Sequence, residues 1–145
     1  MVWAPSSRQI NNCNWSKAVA RIILIEPDRS LAEIYVKAAK QAGHTLVPCA
    51  SAQAAILSAD QQRPDLLIIE LQLIEHSGIE FLYEFRSYAE WADIPLIIQS
   101  NVPPSEFASN WQLFKEQLNI SHYLYKPQAT LRDLLKTIEQ VLQPA

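Results

Sequence analysis

Three short aliphatic runs constrain this chain more than any other feature: RIILIE at Arg21–Glu26, LLIIEL at Leu66–Leu71 and PLIIQS at Pro95–Ser100. None of them alternates apolar with polar residues. A strand with one wet face alternates, whereas a continuous run marks a strand covered on both faces, as in parallel sheets. TLVPCA (Thr45–Ala50) and HYLY (His122–Tyr125) read as two further strands. Pro48 has no N–H to give a ladder, which puts the second strand at a sheet edge.

Helical patterns fill the gaps. Ser30 and Glu33 fit a capping box, followed by a face of Leu31, Ile34, Tyr35, Ala38 and Ala42, with Gly43 as the stop. Ser51 caps a second helix over Ala52–Gln61. A third begins near Gly78, with Ile79, Leu82 and Phe85 at helical spacing. Pro103, Pro104 and Ser105 open a fourth, which carries Phe107, Trp111, Phe114 and Leu118. Thr130 and Asp133 form a second capping box before a helix lined by Leu131, Leu134, Leu135, Ile138 and Leu142. Strand and helix thus alternate five times with short connections. The expected class is α/β, a doubly wound five-stranded parallel sheet with helices on both faces in three α/β/α layers. Residues 21–143 form this domain, and the polar, aperiodic residues 1–20 precede it as a loose arm.

Composition excludes several functions. Gly43 and Gly78 are the only glycines, which rules out the Gly-rich phosphate loops of P-loop and dinucleotide-binding proteins. A net charge of -3 gives no footprint for direct nucleic-acid binding. No apolar run approaches the ~20 residues a membrane span needs, and the N-terminus lacks the apolar stretch of a secretory signal. Cys13 and Cys49 are expected as free thiols in a cytoplasmic protein. His44, His76 and His122 lack metal-ligand spacing and read as loop or surface residues.

In open parallel sheets, sites form beyond the carboxyl ends of the strands. Here those ends carry Glu26-Pro27-Asp28, Ala50-Ser51, Glu70, Ser100-Asn101 and Lys126-Pro127. If the first and third strands are neighbours, the carboxylates of Glu26, Asp28 and Glu70 crowd together beside the Ser100 hydroxyl and the Lys126 ammonium. Such carboxylates repel unless a cation sits among them. Two cations qualify: Mg²⁺, held by oxygens of Glu26, Asp28 and Glu70, or Lys126, reaching across to Glu70. The remaining option is that these residues stay apart and solvated.

Four of these segments in order, RIILIEPD, PDLLIIELQLIEHSG, IPLIIQS and HYLYKP, resemble the receiver domains of two-component response regulators, over about residues 21–143. The resemblance implies a flavodoxin-like sheet of order 2-1-3-4-5, which again places the second strand at an edge. In that family an acidic pair follows the first strand, a phospho-accepting Asp ends the third, a Thr or Ser ends the fourth, and Lys-Pro follows the fifth. Glu26, Ser100 and Lys126 match this pattern, and Tyr123 lies where the family often has an aromatic switch residue. Two positions depart. Glu70 takes the place of the phosphoacceptor Asp, and its extra methylene carries the carboxylate roughly 1.5 Å further. Pro27 takes the place of an acidic metal ligand and has no side-chain oxygen; Asp28 could substitute only from another direction.

The resemblance with these departures implies a pseudo-receiver: a signalling module in a phosphorelay pathway that acts by protein–protein interaction, is not an enzyme and needs no cofactor. Mg²⁺ binding at Glu26, Asp28 and Glu70 is expected to be weak. The competing expectation is a working phospho-receiver that binds Mg²⁺ and is phosphorylated despite the altered pocket. The partner surface implied is the helix bearing Phe107, Trp111 and Phe114 with the last strand and helix, through which a homodimer could also form.

Overall fold

A computed structural model describes residues 19–74 and 77–143. Five strands run in chain order, β1 (Arg21–Ile25), β2 (Thr45–Cys49), β3 (Leu66–Ile69), β4 (Leu96–Ser100) and β5 (Ile120–Tyr125). They form one parallel sheet in the order β2-β1-β3-β4-β5. Helices α1 (Arg29–Gln41), α2 (Ala52–Gln61), α3 (Gly78–Ser87), α4 (Trp111–Leu118) and α5 (Leu131–Leu142) connect and follow the strands. This is the expected doubly wound fold, and β2 with Pro48 lies at its edge.

The sheet explains why the strands do not alternate. Ile23, Ile25, Leu67, Ile69, Leu96 and Ile98 pack into the layer of α2, α3 and α4. Their neighbours Ile22, Leu24, Leu66, Ile68 and Ile97 pack into the opposite layer with α1 and α5. Both faces are therefore apolar, and each fully buried aliphatic contributes about 1.5–3 kcal/mol. The arm proposed for residues 1–20, with Cys13, lies through residue 18 outside the described residues. So does His76.

Several local signals held. Ser51 accepts a hydrogen bond from the Ala54 N–H and starts α2. Thr130 and Asp133 form both halves of the capping box of α5. Gly43 ends α1 at a φ of 92°, the left-handed conformation that favours glycine. Three expectations need correction. Asp28, not Ser30, caps α1 by accepting from the Leu31 N–H. The buried face of α1 is Ala32, Tyr35, Ala38 and Ala39, with Leu31 and Val36 partly buried against the same core and Ile34 half exposed. The fourth helix is split: Pro104–Asn110 winds as a 3₁₀ segment, and α4 begins only at Trp111. His44 lies in the loop after α1, as expected, with its side chain largely buried and its ring paired with Glu139 on α5.

Candidate functional site at the carboxyl ends of the strands

The pairing of β1 with β3, from Ile22 beside Leu66 to Ile25 beside Ile69, delivers Glu26 and Glu70 side by side. The Glu70 N–H continues the ladder to the Ile25 carbonyl at 2.9 Å. β4 brings Ser100 to the other flank, and Lys126 enters directly after β5. Both carboxylates are buried, Glu26 at 5% and Glu70 at 4% exposure. Buried carboxylates persist as ions only when paired and hydrogen-bonded.

Lys126 supplies that pairing. Its Nζ lies 2.6 Å from Glu26 Oε1 and 2.8 Å from Glu70 Oε1. The ammonium is thus seated between the two carboxylates. Glu70 also accepts from Ser100 Oγ at Oε2, from the Gln72 N–H at 3.0 Å and from the Asn101 N–H at 3.3 Å. Glu26 Oε2 accepts from the Asp28 N–H at 3.0 Å. Burial pushes the Glu70 carboxyl up, but the bonds from Lys126, Ser100 and Gln72 outweigh it and hold the group below its ordinary value. Burial pushes the Lys126 ammonium down, and its bonds to Glu26 and Glu70 outweigh that and raise it.

The third carboxylate does not join. Asp28 is exposed, and its side chain is spent on the N-terminus of α1. Pro27 offers no side-chain oxygen. Among the described residues, no group of three or more His, Cys, Asp or Glu is arranged to hold a metal ion. The set Glu26, Asp28 and Glu70 therefore does not fit an octahedral cation: one member points to a helix end, and the other two are engaged by Lys126.

From Ser100 the hydrogen bonds continue outward. Ser100 Oγ accepts from the Val102 N–H at 3.0 Å, and the Val102 carbonyl accepts from the Tyr123 hydroxyl at 2.5 Å. Burial, with the Glu70 charge next, pushes the Tyr123 phenol up to about 12. Its ring meets Trp111 edge-on at 5.9 Å and Phe107 at 6.3 Å, and Phe107 stacks on Phe114 at 5.1 Å. Phe114 is buried, and Phe107 and Trp111 are half-buried. These aromatics first of all pack the 3₁₀ segment and α4 against β5.

Sequence reading missed the backbone donors of Gln72, Asn101 and Val102, which carry no side-chain signal. It also missed Gln99, whose amide donates to the Tyr35 hydroxyl at 3.1 Å beneath α1. A lone polar residue inside PLIIQS was the available clue.

The fold is that of response-regulator receiver domains. A chemotaxis response regulator of Vibrio cholerae superposes over 86% of this chain and 99% of its own, with a TM-score of 0.74 at 19% identity. A CheY-like receiver domain protein from Methanospirillum hungatei covers 86% of this chain and 94% of its own, with a TM-score of 0.75 at 18% identity. The non-phosphorylated HemR receiver domain of Leptospira biflexa covers 87% and 96%, with a TM-score of 0.73 at 20% identity. In sequence, the chain is 26% identical over 82 residues to the KDP operon transcriptional regulatory protein KdpE of Escherichia coli. It is 27% identical over 66 residues to the probable transcriptional regulatory protein TcrX of Mycobacterium tuberculosis. Those matches span 57% and 46% of this chain but only 35% and 28% of the two regulators. No protein-family model matches the chain.

Proposed function

We propose that this chain is a receiver-like signalling module that works by binding a protein partner, independently of phosphorylation and without enzymatic activity. The observation that carries this reading is the state of Glu70. An ionised carboxylate offers about four lone-pair sites, and Glu70 receives bonds from Lys126, Ser100, Gln72 and Asn101. A carboxylate so engaged is poorly placed to attack a phosphoryl donor, which requires free, in-line approach. With Asp28 turned to the helix and Pro27 without a side-chain oxygen, Mg²⁺ binds weakly at most. The receiver fold supports a setting in a two-component pathway, and the two relatives, a transcriptional regulatory protein and a probable one, accord with a regulatory role. A cytoplasmic location accords with this; among the described residues no helix is long and apolar enough to cross a membrane.

The test is incubation with acetyl phosphate and Mg²⁺ followed by intact-mass spectrometry. No phosphoryl adduct is expected. A stoichiometric adduct would establish the competing reading, a working phospho-receiver. Calorimetric titration with Mg²⁺ should show no saturation in the submillimolar range.

A further inference from the structure

We infer that the cleft between α1 and the end of β2 is a binding site for a small hydroxylated organic acid. The acid lays an apolar body between helix and strand, turns a hydrogen-bond donor to Glu26 and turns its carboxylate to Lys37. This goes beyond the signalling role proposed above and does not depend on whether Glu70 takes a phosphoryl group.

The cleft encloses about 490 Å³, within the range of small-molecule sites. Ala32 and Val36 of α1 and Pro48 and Cys49 of β2 give it apolar walls. Burial pushes the Cys49 thiol up, so its sulfur lines the wall as a neutral S–H and not as a nucleophile. Glu26, which follows β1, lines the same cleft and is buried. Among the described residues its carboxylate receives two hydrogen bonds, from Lys126 Nζ and from the Asp28 N–H. An ionised carboxylate offers about four lone-pair sites. Glu70 has four donors; Glu26 has acceptor capacity to spare, and it faces a space that a hydroxyl can enter.

Charge orients the occupant. Arg29, Glu33 and Lys37 recur every fourth residue along α1 and line the same cleft. Among the described residues none of the three is in an ion pair. Arg29 opens α1 close behind Glu26, whereas Lys37 lies about 12 Å further along the helix axis. An anion at the first end would meet the buried Glu26 carboxylate, which offsets the pull of Arg29. Midway it would meet Glu33. At Lys37 it gains a charge-assisted bond and stands farthest from Glu26. The donor of the ligand therefore belongs at Glu26 and its acid group at Lys37.

The experiment titrates the full chain, free of phospho-donor, Mg²⁺ and partner, with para-hydroxyphenylpropanoate, and follows the backbone amides by ¹⁵N NMR. The Val36, Lys37, Cys49 and Ala50 amides are expected to shift saturably. Phenylpropanoate lacks the hydroxyl and para-ethylphenol lacks the carboxylate; each should bind about tenfold more weakly, the effect of one well-made polar contact. Lys37→Ala should weaken the hydroxy acid by about the same tenfold and leave para-ethylphenol unchanged. Ala50→Trp, at the mouth, should exclude all three compounds. Lys37 and Ala50 are exposed, so both variants are expected to fold; if Ala50→Trp does not, Lys37→Ala decides alone. No saturable shift with any of the compounds would overturn the site, as would shifts confined to α3 and α4. Equal affinity for all three compounds, or a hydroxy-acid affinity unchanged in Lys37→Ala, would mean adventitious apolar binding only and would overturn it too.

Discussion

The Lys126 ammonium lies 2.8 Å from the Glu70 carboxylate, and their side chains are only 12% and 4% exposed. Glu26, 2.6 Å from the same Nζ, is equally enclosed. One cation therefore compensates two buried anions, and removing it leaves both uncompensated. Lys126→Met should cost about 3–5 kcal/mol, the range for breaking a buried pair rather than a surface one. Glu70→Gln should cost less, about 1–3 kcal/mol, because the Lys126–Glu26 pair survives and only a misplaced amide donor is introduced. The double variant should be more stable than the sum predicts. Urea unfolding of the four proteins measures this coupling; additivity within ~0.5 kcal/mol would show that the two residues do not interact.

The same cluster sets opposite limbs of the stability–pH profile. Glu70 is held below its reference value of 4.5. Its contribution is thus present above pH 4.5 and lost as pH falls through the folded value. Lys126 is raised above its reference value of 10.5, so its contribution is present below 10.5 and lost as pH climbs through the folded value. Tyr123 acts in the same sense from its reference of 10.0 up to about 12. Urea midpoints against pH should therefore fall at both ends. In Lys126→Met the acid limb should invert, with stability rising as the stranded carboxylates are protonated. An acid limb of unchanged sign in that variant would contradict the assignment.

What the sequence made legible follows from how local each signal is. The strands could be read because a sheet covered on both faces needs runs like LLII, and Pro48 marked the edge by chemistry that no context alters. Thr130 and Asp133 contain both halves of their capping box. The cap of α1 was placed at Ser30 rather than Asp28 because capping depends on where the chain leaves β1, and the rival Ser30–Glu33 pattern looked complete. The meeting of Lys126 with Glu26, 100 residues apart in the chain, depends on strand order, which no local pattern encodes. The donors that saturate Glu70 include two main-chain N–H groups, invisible in any sequence.

Arg86 joins two helices without a carboxylate in contact. Its guanidinium donates to the carbonyls of Leu118 at 2.7 Å, Trp91 at 2.8 Å and Asn119 at 3.1 Å. Asn119 ends α4 in a left-handed conformation at a φ of 53°. Arg86→Met should cost about 1–3 kcal/mol, since the Leu118 and Trp91 bonds are part-buried and lose their donor while the exposed Asn119 carbonyl can take water. Arg86→Lys should recover little, because an ammonium cannot span three carbonyls with a planar fork. Thermal unfolding of both variants checks this, and full rescue by lysine would show that charge alone matters.

Gly78 opens α3 against the turn that follows Glu70. Its N–H bonds the Leu71 carbonyl at 2.9 Å, and a Cβ there would stand 2.6 Å from Leu71 Cα and 2.8 Å from Leu71 O. Both are backbone atoms, so a rotamer change cannot relieve the clash. In an unobstructed helix, alanine for glycine would stabilise by roughly 0.5–1 kcal/mol. Here the loop must shift, and Leu71 lies between Glu70 and Gln72, whose N–H is one of the Glu70 donors. Gly78→Ala should therefore destabilise by about 1–3 kcal/mol, the usual cost of overpacking. It should also weaken the hydrogen-exchange protection of the Gln72 amide more than that of amides in β2, on the far side of β1. A variant as stable as the parent, with Gln72 still protected, would mean that the turn yields freely and that the Glu70 pocket does not depend on it.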